Sequence, residues 1–196
     1  MPRLEPGQLR AILQRELPEA LVADGNAPQV ASAQAGGDAV ASQPLRRHEE
    51  QPAPPPLRDD DAVVRAEYLP RVLTLLRDRL GYHYLSHITA VDYLEYGIIE
   101  VIYHLFNVEA GGAGQIVRVR VPRDHPVIPS ITPIWPGANL QEREAWDLYG
   151  VRFPGHPYHR RIYMWEEFEG HPMRKDFEKI GDAYFHFAWK GEDEEE

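Results

Sequence analysis

Charged side chains crowd the stretch Glu142-Arg143-Glu144-Ala145-Trp146-Asp147-Leu148-Tyr149, and two near-copies of a histidine motif follow it. On a helix Glu142 and Glu144 lie about 200° apart, too far round to act as one acid/base pair, whereas Glu144 and Asp147 are neighbours at i, i+3. No nucleophile or third group is spaced to complete a catalytic set. The carboxylates therefore read as ion-pair partners for Arg160, Arg161, Arg174 and Lys175 downstream. A bidentate Arg to carboxylate contact would pin the following segment onto the helix.

The histidine motif is Phe-x-Gly-His-Pro-x-x-basic. It occurs as Phe153-Pro154-Gly155-His156-Pro157-Tyr158-His159-Arg160 and again, 15 residues on, as Phe168-Glu169-Gly170-His171-Pro172-Met173-Arg174-Lys175. Gly permits a tight backbone, Pro fixes the exit direction, and His places a rigid ring, so the copies are expected to be matched turns. Three roles fit such rings: satisfying backbone groups within a loop, contacting a neighbouring chain, or holding a metal. Metal has the least support. His83 and His87 can share a face, but no third ligand falls at a metal spacing and no His-Glu-x-x-His occurs. Gly111-Gly112-Ala113-Gly114 lacks the Lys-Ser/Thr and the helix of a phosphate loop, and reads as a hairpin turn.

Composition narrows the chemistry further. The 196 residues contain no cysteine, which excludes disulfides, thiolate metal sites, iron-sulfur ligation and a thiol nucleophile on this chain. A net charge of -10 argues against nucleic acid, whose binding needs clustered cations. Half of that charge falls in residues 182–196, expected to be a solvated acidic tail. No secretory or membrane-spanning segment is seen, so direct membrane insertion is not expected.

The elements that must position these groups can be read in order. Leu9, Ile12, Leu13 and Leu17 recur at helical spacing, giving residues 1–23 one short helix, too short to be stable alone. Residues 24–61 are rich in Ala, Gln, Gly and Pro and read as a disordered linker, leaving the helix on a leash. The body is expected at 62–150: a short strand at Ala62, a helix from Tyr68 to Leu80 stopped by Gly81, and strands at 82–91, 98–107 and 115–121. On the last strand Val117, Val119 and Val121 alternate with Arg118 and Arg120, as on a half-exposed strand. A ladder of prolines at 122, 126, 129, 133 and 136 enforces an extended path. A helix follows over 140–149, with Asn139 and Glu142 expected to form a capping box and Gly150 the stop. The fold class is α+β: a two-layer domain, its mixed or antiparallel sheet packed by helices. Residues 151–181 form an extended, irregular, basic and aromatic segment, ordered against something else.

The pattern Glu142-Arg143-Glu144, two residues, Asp147-Leu148-Tyr149, six residues, His156, three residues, Arg160, one residue, Ile162-Tyr163 resembles the signature of the C subunit of bacterial NADH:quinone oxidoreductase, respiratory complex I. Ile88-Thr89-Ala90-Val91-Asp92-Tyr93, Val121-Pro122-Arg123-Asp124 and Gly170-His171-Pro172-Met173-Arg174-Lys175-Asp176-Phe177 agree with it, so the resemblance spans about residues 62–178. Departures are local: Tyr158-His159 stands where the family commonly has Asp-Leu, Trp165 where it commonly has Pro, and the linker is long. The resemblance implies a peripheral-arm subunit without a cofactor or active site of its own, on the cytoplasmic face of the membrane. FMN, iron-sulfur clusters and quinone would belong to partner subunits. It also implies that Glu142, Arg143, Glu144, Asp147, His156, Arg160, His171, Arg174, Lys175 and Asp176 are signature residues facing partners. Those partners would be the quinone-cavity-lining subunit above all, and neighbouring cluster-bearing subunits. Two other readings stand beside it: the equivalent subunit of a complex fed by ferredoxin, coenzyme F420 or a hydrogenase, and a free-standing His-dependent metal hydrolase.

Overall fold

Alternation of Val with Arg sets β4 (Gln115–Pro122), and the three valines are buried on its inner face. In the computed structural model, which describes residue 4 and residues 7–22, 62–111 and 114–178, this strand is the second of four. The sheet order is β1-β4-β3-β2, with β1 (Ala62–Val63) parallel to β4, and with β2 (Tyr84–Tyr93) and β3 (Ile98–Phe106) antiparallel to their neighbours. Gly111, at φ 61°, serves the β3 to β4 connection in the left-handed region expected of a turn glycine. The middle of that turn, Gly112 and Ala113, lies outside the described residues, as do the expected linker and acidic tail.

Helix α2 (Leu69–Leu80) buries Leu69, Val72, Leu73 and Leu76 completely. Pro70 falls in its first turn, where a missing N–H costs nothing, and Gly81 ends it at φ 78°. Its apolar stripe joins Val101, Tyr103 and Leu105 of β3 in one core, which also takes in Ile128, Ile131 and Trp135 of the proline ladder. Between the prolines the chain still has N–H groups to place, and two of them reach the C-terminal segment: Ile128 donates to Arg152 O at 2.9 Å and Ser130 to Pro154 O at 2.9 Å. The ladder is thus tied to the start of that segment. Helix α3 (Ala138–Tyr149) then crosses to pack on β2.

Three expectations need correction. The N-terminal helix, α1 (Gln8–Glu16), is not held at a distance, because Leu9, Leu13, Leu17 and Ala20 sit in the common core. Residues 20–22 also bond to the free edge of β1, with Arg65 N donating to Ala20 O at 2.8 Å and Val22 N to Val63 O at 3.1 Å, closing an edge that would otherwise show unpaired backbone. Second, the arginine face of β4 is not simply solvated. Arg118 and Arg120 clamp Glu100, itself 1% exposed, at 2.8 and 2.7 Å. Third, α3 begins ahead of its expected cap: Gly137 is the cap residue and no side chain caps the helix, so the Asn139 and Glu142 capping box does not form.

Candidate partner-docking segment

Glu142 turns inward instead of back to the helix start. Its two carboxylate oxygens accept from Ile131 N–H at 2.7 Å and from Ser130 Oγ at 2.6 Å, and Thr132 Oγ1 lies 2.8 Å from Ser130 Oγ. Burial raises its pKa to about 7 against the partial compensation of those two hydrogen bonds. Beside it the Tyr103 hydroxyl is buried without a hydrogen-bond partner, its pKa held high by burial and by Glu142. The first acid of the signature therefore locks the proline ladder to α3 from inside the protein.

Asp147 does the equivalent for the C-terminal segment. Its side chain is fully buried, with Oδ2 accepting from the N–H groups of Ile162, Tyr163 and Met164 at 2.9, 2.8 and 3.0 Å, and Oδ1 from Arg161 at 2.6 Å. Burial pushes the carboxyl up, but the three N–H donors and the guanidinium outweigh it, so it ends below the usual aspartate value. Arg161, whose guanidinium lies 5.5 Å from the ring centres of both Trp146 and Phe168, also donates to Phe168 O and Gly170 O at 2.8 and 3.1 Å. One buried ion pair thus fixes backbone at 161–164 and at 168–170.

The end of α3 is closed by the second histidine copy. A helix leaves its last carbonyls without intrahelical donors, and here His171 Nδ1 reaches Asp147 O at 3.0 Å, Met173 N reaches Leu148 O at 3.0 Å, and Arg174 Nε reaches Tyr149 O at 2.7 Å. Arg174 also brings a cation to the negative end of the helix dipole. A side chain at Gly150 (φ 81°) would stand 2.6 Å from the His171 ring, so this glycine serves both the helix stop and the docked ring. The first copy ties its own turn to the start of α3: His156 Nε2 is 3.1 Å from Asn139 O and its Nδ1 accepts from Tyr158 N–H at 3.0 Å. Gly155 and Gly170 share nearly the same φ, 87° and 89°, so the copies are matched turns, and both rings satisfy backbone groups.

The remaining signature residues spread over this surface. Arg143 donates to Arg160 O and Arg161 O at 2.8 and 2.9 Å and lies over the Tyr158 ring, while Arg160 pairs loosely with Glu166 at 3.7 Å. Glu144 is only loosely held, its contact being Tyr163 OH at 3.5 Å. Of the expected ion pairs to the helix carboxylates, the one formed is Asp147 with Arg161; Arg174 binds a carbonyl, and Lys175 engages through its backbone. Lys175 N–H and Arg123 both bond Asp92, at 2.8 and 2.7 Å, and Arg123 also holds Asp176. Asp92 and Arg123 appear in the sequence only as parts of flanking motifs and are anchors that the sequence reading misses. The available signal was Asp92 falling in phase with the inward Ile88 and Ala90, since a carboxylate on a core-facing phase demands a cationic partner.

The segment so fixed presents large side chains outward: Tyr158, Tyr163, Trp165 and Met173 are each about half exposed or more. Among the described residues it has no helix or strand of its own beyond the single bridge at Arg152. Rigid backbone bearing exposed aromatics and Arg is the composition of an interface core.

Known proteins are similar to this chain in sequence and in fold. Residues 62–183 match the family described as the respiratory-chain NADH dehydrogenase 30 Kd subunit. The C subunit of the NADH-quinone oxidoreductase of Moorella thermoacetica is 50% identical over 115 residues, 59% of this chain and 77% of that protein. Its counterpart in Roseiflexus castenholzii is 45% identical over 116 residues, 58% of this chain and 66% of that one. A chain in the structure of the membrane-bound sulfane sulfur reductase, an archaeal respiratory membrane complex, superposes with a TM-score of 0.60 at 25% identity, covering 96% of this chain and 94% of that one. With the family match, these relatives and the shared fold in hand, the chain belongs to the family of the respiratory-chain NADH dehydrogenase 30 Kd subunit, known in bacteria as the C subunit of NADH-quinone oxidoreductase.

Proposed function

We propose that the chain is a non-catalytic subunit of the peripheral arm of a proton-translocating NADH:quinone oxidoreductase, supporting electron transfer from NADH to quinone at a quinone-reducing module formed by its partners. The observation that carries this reading is the segment 152–177, fixed through Asp147, Asp92 and the end of α3, yet showing Tyr158, Tyr163, Trp165 and Met173 to the outside. Such a surface gains most when a partner covers it. The partner is the subunit lining the quinone cavity, with cluster-bearing subunits adjoining. FMN, clusters and quinone are held by those partners, and none by this chain. The protein sits peripherally at the cytoplasmic face of the membrane; no helix among the described residues is long and apolar enough to cross one.

The likeness to a chain of the sulfane sulfur reductase complex favours one second reading, the same structural role in a membrane complex with another electron donor. A tagged copy recovered from its native cells distinguishes the two. The first reading expects flavin- and iron-bearing partners together with NADH-dependent quinone reduction; the second expects iron-bearing partners without that activity. Recovery without any iron-containing chain overturns both.

A further inference from the structure

The outer face of the sheet carries a histidine pair that the docking segment does not use. His87 of β2 stands directly across from His104 of β3, with ring centroids 4.9 Å apart and planes at 88°. This opposition depends on a bulge. Leu85 pairs with Leu105 and His87 with His104, leaving Ser86 as the extra residue; without it Ser86 would face His104 and His87 would turn toward the core.

We infer that His87 and His104 form an open, outward-facing site for one divalent cation of the zinc class. Two imidazoles that each place a nitrogen about 2 Å from a shared tetrahedral ion have centroids ~5 Å apart, matching the observed spacing. Ser86 Oγ lies 3.2 Å from His87 Nδ1, so it can accept that ring's N–H and leave Nε2 with its lone pair free, the usual outer support of a metal-binding histidine. His104 is backed by Phe106, at 4.7 Å between centroids, and by Gly114, where a side chain would collide with Nε2 and stand 2.8 Å from Cδ2. Among the described residues no third ligating side chain joins the pair, which leaves the other coordination positions to water. Imidazole donors suit Zn2+, Ni2+ and Cu2+ and not Mg2+.

The test is a Zn2+ titration of the full chain against a chromophoric chelator, with Mg2+ as the comparison ion and circular dichroism to verify folding. One saturable Zn2+ per chain is expected, weakened at least ~10-fold by His87→Ala or His104→Ala, about as strongly by Ser86→Ala, and unchanged by His125→Ala, an exposed histidine outside the pair. His87 is exposed, so His87→Ala carries the test even where His104→Ala fails to fold. Zinc binding that survives His87→Ala, or no saturable binding up to millimolar Zn2+, overturns the site.

Discussion

The sheet-and-helix body and the segment 152–177 are both ordered, but by different forces. In the body, apolar side chains spaced at the helical and strand periods meet in one core, and the backbone is satisfied by its own ladders. In the segment few large side chains are fully buried, and the backbone is satisfied by side chains from elsewhere: Asp147, Asp92, Arg143 and Arg161 supply what a ladder would. Apolar burial tolerates change in proportion to volume lost. A buried carboxylate holding several donors is all-or-nothing, because removing it leaves three N–H groups without an acceptor and a buried guanidinium without its counter-charge.

The sharpest way to break the comparison is Asp147→Ala. It should cost about 3–5 kcal/mol, concentrated in the segment; hydrogen exchange should show lost protection across 161–174 while the strands keep theirs. Equal loss in both regions would mean that they are one cooperative unit. Leu13→Ala tests the other side, since a fully buried leucine in the common core should lower global stability by about 2–5 kcal/mol in chemical denaturation. A negligible change would detach α1 from the body.

Glu142 gives a pH-dependent test. Its pKa rises from 4.5 to about 7 on folding, so the folded state holds the proton more tightly. Its destabilising contribution is absent below about pH 4.5, grows as pH rises through that window and is complete above about 7, at a size of order 3 kcal/mol. Glu142→Gln keeps an acceptor for Ile131 N–H and cannot ionise, so the stability difference between variant and parent should shift in the variant's favour between about pH 5 and 8. Parallel melting profiles would contradict the assignment. Asp147 has the opposite sign: its contribution is full at neutral pH and is lost only as pH falls below the usual aspartate range. The smallest effect is expected from Glu144→Lys, loosely held, which should change stability by less than ~0.5 kcal/mol while reducing assembly with partners. A clear loss of stability would place Glu144 in the body's own bonding.

What could be read from the sequence divides along the same line. The strands, α2 and its Gly81 stop were readable because Val117-Val119-Val121 and Leu69-Val72-Leu73-Leu76 carry their own periodicity. The matched glycine turns were readable from composition. The bonding of the segment was not, because it depends on contacts 14 to 83 residues apart in the chain, such as Asp147 to Arg161 and Asp92 to Lys175, which no local pattern encodes. Glu142 shows how a local rule misleads: Asn139 and Glu142 have capping-box spacing, but the Ile131 N–H and Ser130 hydroxyl compete for the same carboxylate and take it. The arginines of β4 misled similarly, since their strand phase says "outward" and conceals a buried Glu100 between them.

Under the proposed function, the segment is fixed in advance for a partner and its exposed aromatics would do the binding. The most direct measurement is the incorporation of a Tyr163→Ala, Trp165→Ala double variant into the native complex, beside hydrogen exchange of the same variant alone. Unchanged protection of residues 62–122 with incorporation reduced at least ~10-fold is the expected result, as interface aromatics usually dominate binding. Normal incorporation of a normally folded variant would contradict it.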